Sequence, residues 1–344
     1  MTESTRVEVP TDLDAFQDEM ERRGWGDGLP LVPPTPERVT AMVTAAGRPG
    51  SEVVATLPPT WAEATVERIA VNAVMAGCRP EYLPVVLAAV RAAAQDAFNL
   101  YAVQTTTHPC GVLAVVSGPV AAEIRMNHGY GAFGPGNRAN ATIGRALRLV
   151  LMNIAGARPG VLDRATQGTP AKYTYCVAES EDSPWEPLRV SLGFAAADSI
   201  VTVVAGEGPH NINDHGSTTA DSLLQQIAGT LAIPSSNNAY MKGDSHLFLG
   251  PEHARQLAAE GLSREDVQRL VFERARIPRD RFGPGQLARI EAGFGPAEME
   301  MTREALHVGM GPEDIKVLVV GGDGRHSCWV PTFGMTRSCH ELVR

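Results

Sequence analysis

A chain of 344 residues is long enough to bury a substantial core without disulfides or metal, as one large domain or two intimate ones. Apolar residues make up 44% and charged residues 20%, which excludes a disordered chain. The formal net charge is −9 and no run of Lys or Arg exists, so no basic face is available for general nucleic-acid binding. The 34 glycines and 25 prolines follow no period and belong to turns and loops. No uncharged apolar run approaches the ~18 residues of a membrane-spanning helix. Met1 to Pro10 lacks the basic and apolar regions of a signal peptide. A cytoplasmic protein with no membrane partner is expected. There Cys78, Cys110, Cys176, Cys328 and Cys339 are expected to be reduced, and their odd count argues against a disulfide framework.

In chain order, Leu13 to Arg23 reads as a short amphipathic helix ended by Gly24. Trp25 to Pro34 reads as an extended, Pro-stiffened arm: a lid, an oligomer contact, or a strap docked on its own domain. Thr35, Pro36 and Glu37 read as N-cap, first turn and dipole partner of the next helix. Thr60 with Glu63 reads as a capping box for a helix that runs to Gly77, a left-handed C-cap. Pro80 and Glu81 open a further helix ending near Gln95, so residues 35–96 form a helical layer. From Val112 the pattern turns to strands, expected at Val112 to Val116, Tyr173 to Val177, Leu188 to Val190, Ser199 to Val204, His246 to Leu249 and Lys316 to Val320. Helices are expected at Ala141 to Ile154 with Asn140 as N-cap, at Ser217 to Leu231, and at 251–260 and 264–276, the last capped by Ser263.

This alternation predicts an α/β (or α+β) fold: a mixed β-sheet with helices packed on it and a helical N-terminal layer. Residues 1–34 form the Pro-rich arm with its short helix. Residues 35–344 form a single α/β domain, and the polar stretch 179–186 is the place for any subdivision.

Three segments run an apolar strand into a small-residue loop bearing histidine or charge. Val112 to Val116 precedes the loop with Asn127, His128 and Arg138. Val201 to Val204 precedes Glu207, His210, Asn211, Asp214 and His215. Val317 to Val320 precedes Gly321 to Cys328. Ligands in open α/β sheets bind beyond the carboxyl ends of the strands, so parallel strands of one sheet would bring these loops together. The first loop, with Gly134, Gly136 and Asn137, is an anion-site candidate: glycines expose backbone N–H groups, and Arg138 can grip a carboxylate or phosphate. Its competing reading is a tight connection. It is not a Walker A loop, since no Gly-Lys-Ser/Thr follows.

His210 and His215 suit proton transfer or loop bracing; the alternative is a metal ion held by His210, Asp214 and His215, with His128 or His326 as a further ligand. Glu207 is a candidate base if desolvated. Cys328, beside Arg325 and His326, is a candidate thiolate nucleophile, and Cys78 gains the same character from the helix N-terminus that follows it. The competing reading of each thiol is a small buried apolar side chain. Gly321-Gly322-Asp323-Gly324 is not a complete dinucleotide fingerprint, so no nicotinamide is expected. No cofactor is predicted, with a metal ion as the alternative.

Several strings resemble those of a widespread uncharacterised bacterial family: Asp27-Gly28-Leu29-Pro30-Leu31-Val32-Pro33-Pro34-Thr35, Asn72-Ala73-Val74-Met75-Ala76-Gly77-Cys78-Arg79-Pro80-Glu81-Tyr82, and Arg138-Ala139-Asn140-Ala141-Thr142-Ile143-Gly144-Arg145. Tyr173-Thr174-Tyr175-Cys176 and Ser183-Pro184-Trp185-Glu186-Pro187 also fit. Members of that family are similar in part to, or encoded near, UGSC-family (seleno)proteins. Gly322-Asp323-Gly324-Arg325-His326-Ser327-Cys328 is loosely similar to their Gly-Asp-x-Gly-Ser-Cys motif, with an insertion and without the first Sec/Cys. The resemblance implies an enzyme and sulfur chemistry.

The expected function is a cytosolic enzyme acting on a small anionic metabolite by addition–elimination, lyase or thiol-transfer chemistry. Cys328 or Cys78 would be the nucleophile, His326 or His210 the proton carrier and Glu207 a base. Asn127, His128, Gly134, Gly136, Asn137, Arg138, Asn211 and Arg325 would surround the substrate. The alternatives are a metal-dependent lyase or hydrolase and a non-catalytic small-molecule binding or assembly protein. A homo-oligomer is expected.

Overall fold

The computed structural model describes residues 6–344, so half of the polar N-terminal stretch lies outside the described residues. Four eleven-residue helices precede the first long strand, α1 (Leu13–Arg23), α2 (Pro36–Ala46), α3 (Val66–Ala76) and α4 (Leu83–Ala93), followed by the short helix Leu100–Thr105. Gly24 and Gly77 end α1 and α3 in the left-handed conformation, as their positions predict. The cap of α3 is Thr65, whose side chain accepts from the Arg68 amide. Thr60 lies instead at the turn of an antiparallel hairpin, Val53–Leu57 with Ala62–Thr65. The capping-box match at Thr60 and Glu63 was fortuitous, because the hairpin intervenes before the helix starts. Among the described residues, no helix is long and apolar enough to cross a membrane.

Eight strands build two four-stranded sheets: β1 (Gly111–Ser117), β2 (Cys176–Ala178), β3 (Ile200–Gly206), β4 (His210–Asn213), β5 (Ser245–Leu249), β6 (Ile315–Val319), β7 (His326–Val330) and β8 (Cys339–Leu342). The first sheet has the order β8-β3-β1-β2. In it β3 runs antiparallel to β8 and β1, and β2 parallel to β1. The second has the order β6-β5-β7-β4, with β6 parallel to β5 and β7 antiparallel to both its neighbours.

Both faces of the central strands are apolar, and the alternation sorts them. Leu113, Val115, Val204, Phe248, Leu318 and Val330 meet in a slab between the sheets. Ala114, Val116, Val201 and Val203 turn to the N-terminal helices, while Leu247, Leu249, Val317 and Trp329 turn to the C-terminal ones. On the first sheet lie α4 and α5 (Arg138–Asn153), with α3 packed on α5. On the second lie α6 (Ala220–Leu231) and α8 (Arg264–Arg274), with α7 (Pro251–Ala259) beside α6. The result is a four-layer α/β/β/α arrangement, in agreement with the expected class of a mixed sheet covered by helices.

Several expectations need correction. Leu188 to Val190 belongs to a short helix, Leu188–Ser191, started by Pro187. The N-cap of α5 is Asn137, which accepts from the Asn140 amide at 3.1 Å, three residues earlier than Asn140 itself. The stretch 179–186 does not divide the chain. Its amides stitch the sheets together, Glu179 to the carbonyl of Val116 and Ser180 to that of Val319, both at 2.9 Å. The arm is docked on its own domain. Arg145 of α5 grips Asp27 through two bonds of 2.8 Å and also donates to the carbonyls of Leu29 and Pro30. Leu31 is buried and exchanges two hydrogen bonds with the Gln17 side chain.

Gly144 explains how α5 lies flush on the chain entering β2. A Cβ there would stand 2.5 Å from the Tyr175 nitrogen and 2.6 Å from Thr174 Oγ1. Alanine is the better helix former, yet Gly144→Ala should destabilise the fold by about 1–3 kcal/mol through overpacking. Urea denaturation measures this, and an unchanged or raised midpoint would contradict the close approach.

At the other end of the slab, His246 is buried against Phe248, and His340 Nδ1 bonds Thr202 Oγ1 at 2.8 Å. Burial pushes both imidazoles down to about 4. An unfolded chain takes up protons at ordinary histidines as pH falls through about 6.5, while the folded chain refuses them until about 4. Stability should therefore be full above that window and decline through it. The urea midpoint should drop between about pH 7 and pH 4.5, and drop less in His340→Asn. A flat wild-type midpoint would refute this.

Candidate functional site

The three histidine-bearing loops do meet, although not by shared strand direction. β1 and β3 are antiparallel, and β6 belongs to the other sheet. The first loop instead runs back across the mouth between the sheets. The Gly321 amide donates to the His128 carbonyl at 2.8 Å, and Ala132 and Phe133 join the slab. The Tyr130 ring covers Gly322, where a Cβ would fall 2.3 Å from it. The second loop becomes the edge strand β4, paired with β7 so that Asn213 faces His326 and Asn211 faces Cys328. The Asp214 amide then donates to the Arg325 carbonyl at 3.2 Å.

Strand alternation sorts the candidates on this rim. His326 and Cys328 share the slab-side face of β7, and their partners Asn213 and Asn211 share it on β4. His210 pairs with Trp329, whose side chain points into the C-terminal helical layer, so His210 stands on the opposite face. His326 Nδ1 lies 3.0 Å from Asn211 Oδ1. A carbonyl oxygen only accepts, so Nδ1 is the donor here, and in the neutral ring the lone pair then falls on Nε2. That Nε2 lies 3.3 Å from His215 Nε2, with the rings edge to face at 78°. Phe133 packs against the slab, edge-on to Phe248 and tilted against Tyr175. At the far end of β7, where the Glu207 amide bonds the Pro331 carbonyl, the Tyr175 hydroxyl donates to the Glu207 carbonyl at 2.8 Å, and Glu207 Oε1 pairs with His108 Nε2 at 2.7 Å.

The remaining candidates serve the scaffold. Both Nε and Nη2 of Arg138 donate to the Gly77 carbonyl, which latches α5 to the end of α3. The Asn127 side chain closes its own turn onto Gly129 and Tyr130, and Asn137 bonds the Arg125 carbonyl. The Gly134 amide bonds the Gly131 carbonyl, and Gly136 takes up a left-handed turn. The loop is thus a tight connection, and its arginine is committed elsewhere. Arg325 turns its guanidinium to the carbonyls of Asp214 and Ser217 and to Gln256. Asp214 caps the Gly216 and Ser217 amides through Oδ1. Among the described residues, no three His, Cys, Asp or Glu side chains converge as metal ligands, so the set of His210, Asp214 and His215 does not form.

The thiols are not activated. Cys78 is buried and donates to the Thr142 carbonyl at 3.2 Å, and desolvation pushes it up to about 12 despite the adjacent helix. Cys328 keeps some surface at the rim, but burial raises it to about 12, and no cation offsets this because Arg325 points away. Burial also holds Cys110 at about 12 and Cys339 at about 11, and raises Cys176 further. The expected thiolate nucleophile is therefore corrected to a protonated thiol.

Two histidines were missed as contributors. His108 pairs with Glu207, 99 residues away, and no local pattern around it marks that role. His253, on α7, bridges the loops from below: its Nδ1 meets Ser327 Oγ at 2.8 Å and its Nε2 meets the Asp214 carbonyl at 3.2 Å. Nothing local in Gly250-Pro251-Glu252-His253 announces that role, since its partners lie 39 and 74 residues away. No family model, curated protein or solved structure matches the chain.

Dithiobis(nitrobenzoate) at about pH 8 should modify the folded protein slowly at all five cysteines and rapidly once urea is added. One thiol reacting fast in the folded state near neutral pH would overturn this assignment.

Proposed function

We propose that the chain is an enzyme acting on a small polar metabolite at the rim between the sheets, by imidazole-centred chemistry of the addition–elimination, lyase or hydrolase type. The observation that carries the reading is the 3.0 Å contact between His326 Nδ1 and Asn211 Oδ1. Asn211 holds its Nδ1–H, so its basic Nε2 faces His215 and the open shelf. Both imidazoles are exposed, as a reacting pair must be.

The arginines are committed to backbone carbonyls, so recognition falls to Asn211, the imidazoles and the Tyr130 hydroxyl. This favours a polar substrate over a strongly anionic one. Glu207 and His108 form a separate carboxylate–imidazole pair at the far end of β7, beside Pro331. Cys328 contributes a protonated thiol to the floor, which favours imidazole over thiol transfer. The segment Gly322 to Cys328, which carries the likeness to the UGSC-type motif, forms one edge of this shelf and supports placing the reaction there. Five free thiols fit a reducing, cytoplasmic setting.

Incubation with a bacterial metabolite extract, followed by mass spectrometry, tests the reading. The wild type should deplete a small polar compound, His326→Gln should slow this by about 100-fold or more, and Cys328→Ser should stay within a few-fold. Undiminished turnover in His326→Gln, or complete loss in Cys328→Ser, would overturn it.

A further inference from the structure

We propose that His215 and His326 together bind one divalent transition-metal ion, with Asn211 as the orienting partner behind His326. The site stands on geometry; with an ion bound, the Nε2 lone pair of His326 would be spent as a ligand, so the metal-bound form would replace the free-base role given above. Two imidazole nitrogens bound at about 2.0–2.1 Å to a tetrahedral ion lie roughly 3.3–3.4 Å apart. The two Nε2 atoms lie 3.3 Å apart. With no ion present, the same contact is a long hydrogen bond in which one of the two rings donates.

The tautomer agrees. Metal-ligating histidines donate their other ring N–H to a carbonyl or carboxylate, and His326 Nδ1 does so to Asn211 Oδ1. The ligands are also held before any ion arrives. The residue before each histidine is tied to the other: the Asp214 amide bonds the Arg325 carbonyl, and the Arg325 Nε bonds the Asp214 carbonyl at 2.9 Å. His253 bonds that same Asp214 carbonyl from the buried side, and Asp214 Oδ1 closes the turn that carries His215. Such anchoring keeps the two nitrogens at one spacing.

The chain supplies two ligands here, since no third His, Cys, Asp or Glu converges among the described residues. Water and substrate would complete the shell, which is the open arrangement a reacting metal needs and which binds less tightly than a closed structural site. An imidazole pair selects zinc, cobalt, nickel or copper over magnesium or calcium.

The test is titration of the untagged, chelator-treated chain with Zn²⁺ by calorimetry and with Co²⁺ by visible absorption. One equivalent should bind to the wild type. His215→Ala and His326→Ala should each weaken binding about tenfold or more, and Asn211→Ala should weaken it by a similar factor. His210→Ala, on the opposite face, should bind like the wild type. All four positions are exposed, and far-ultraviolet circular dichroism confirms that the variants fold. No saturable binding to the wild type, or wild-type affinity in both histidine variants, would overturn the proposal. Turnover lost in His326→Gln without any bound ion would sink the metal and leave the rim reading intact.

Discussion

Two sheets share one dry slab of side chains, and the rest of the molecule follows from that sharing. A strand buried on both faces leaves little room for polar side chains along its length, and one that stays there, such as Thr202, is held by a hydrogen bond. Polar chemistry is pushed to the strand ends, where the chain enters or leaves the slab. Glu207 sits where the chain passes from β3 to β4, and its amide bonds the Pro331 carbonyl where the chain returns after β7. His326 opens β7, and Asn211 lies on the uncovered edge strand. Between the sheets, Glu179 and Arg189 share a partner. Glu179 accepts from the Ser117 hydroxyl and from the Leu188 amide, while Arg189 donates to the same hydroxyl.

Much of this fold was legible in the sequence, because runs such as Val112 to Val116 and Lys316 to Val320 are too apolar for anything but buried strands. Helix ends were legible wherever glycine or proline marked them, as at Gly24, Pro36 and Gly77. The pairing of strands was not legible. A continuous apolar run has the same pattern in a parallel sheet of three layers and in one half of a double sheet. The edge strand His210–Asn213 was hidden by its polar composition, since only Ile212 is buried. Reading it as a loop concealed the alternation that separates His210 from Asn211.

The candidate site was half legible for the same reason. Its residue types were visible as clusters of histidine, asparagine and glycine, and the third loop was rightly drawn to the other two. What decides function there is which groups are already spent. Arg138, Arg325, Asn127 and Asn137 all looked available in the sequence, yet each is consumed by a backbone group that only the tertiary fold supplies. The cysteines illustrate the opposing force. A helix N-terminus or neighbouring cation lowers a thiol by a modest amount, whereas burial without a partner raises it more, and here burial prevails at both Cys78 and Cys328. The imidazoles of His215 and His326 stand exposed outside the slab while their backbones are pinned to it.

The central claim is that Asn211 fixes His326 with its proton on Nδ1 and a bare, solvent-facing Nε2. Long-range proton–nitrogen correlation spectra of nitrogen-15-labelled protein, with His326 assigned by substitution, observe this directly. The account predicts the Nδ1–H form for His326 in neutral solution and its loss in Asn211→Ala. An Nε2–H form in the wild type, or a tautomer indifferent to Asn211, would contradict it.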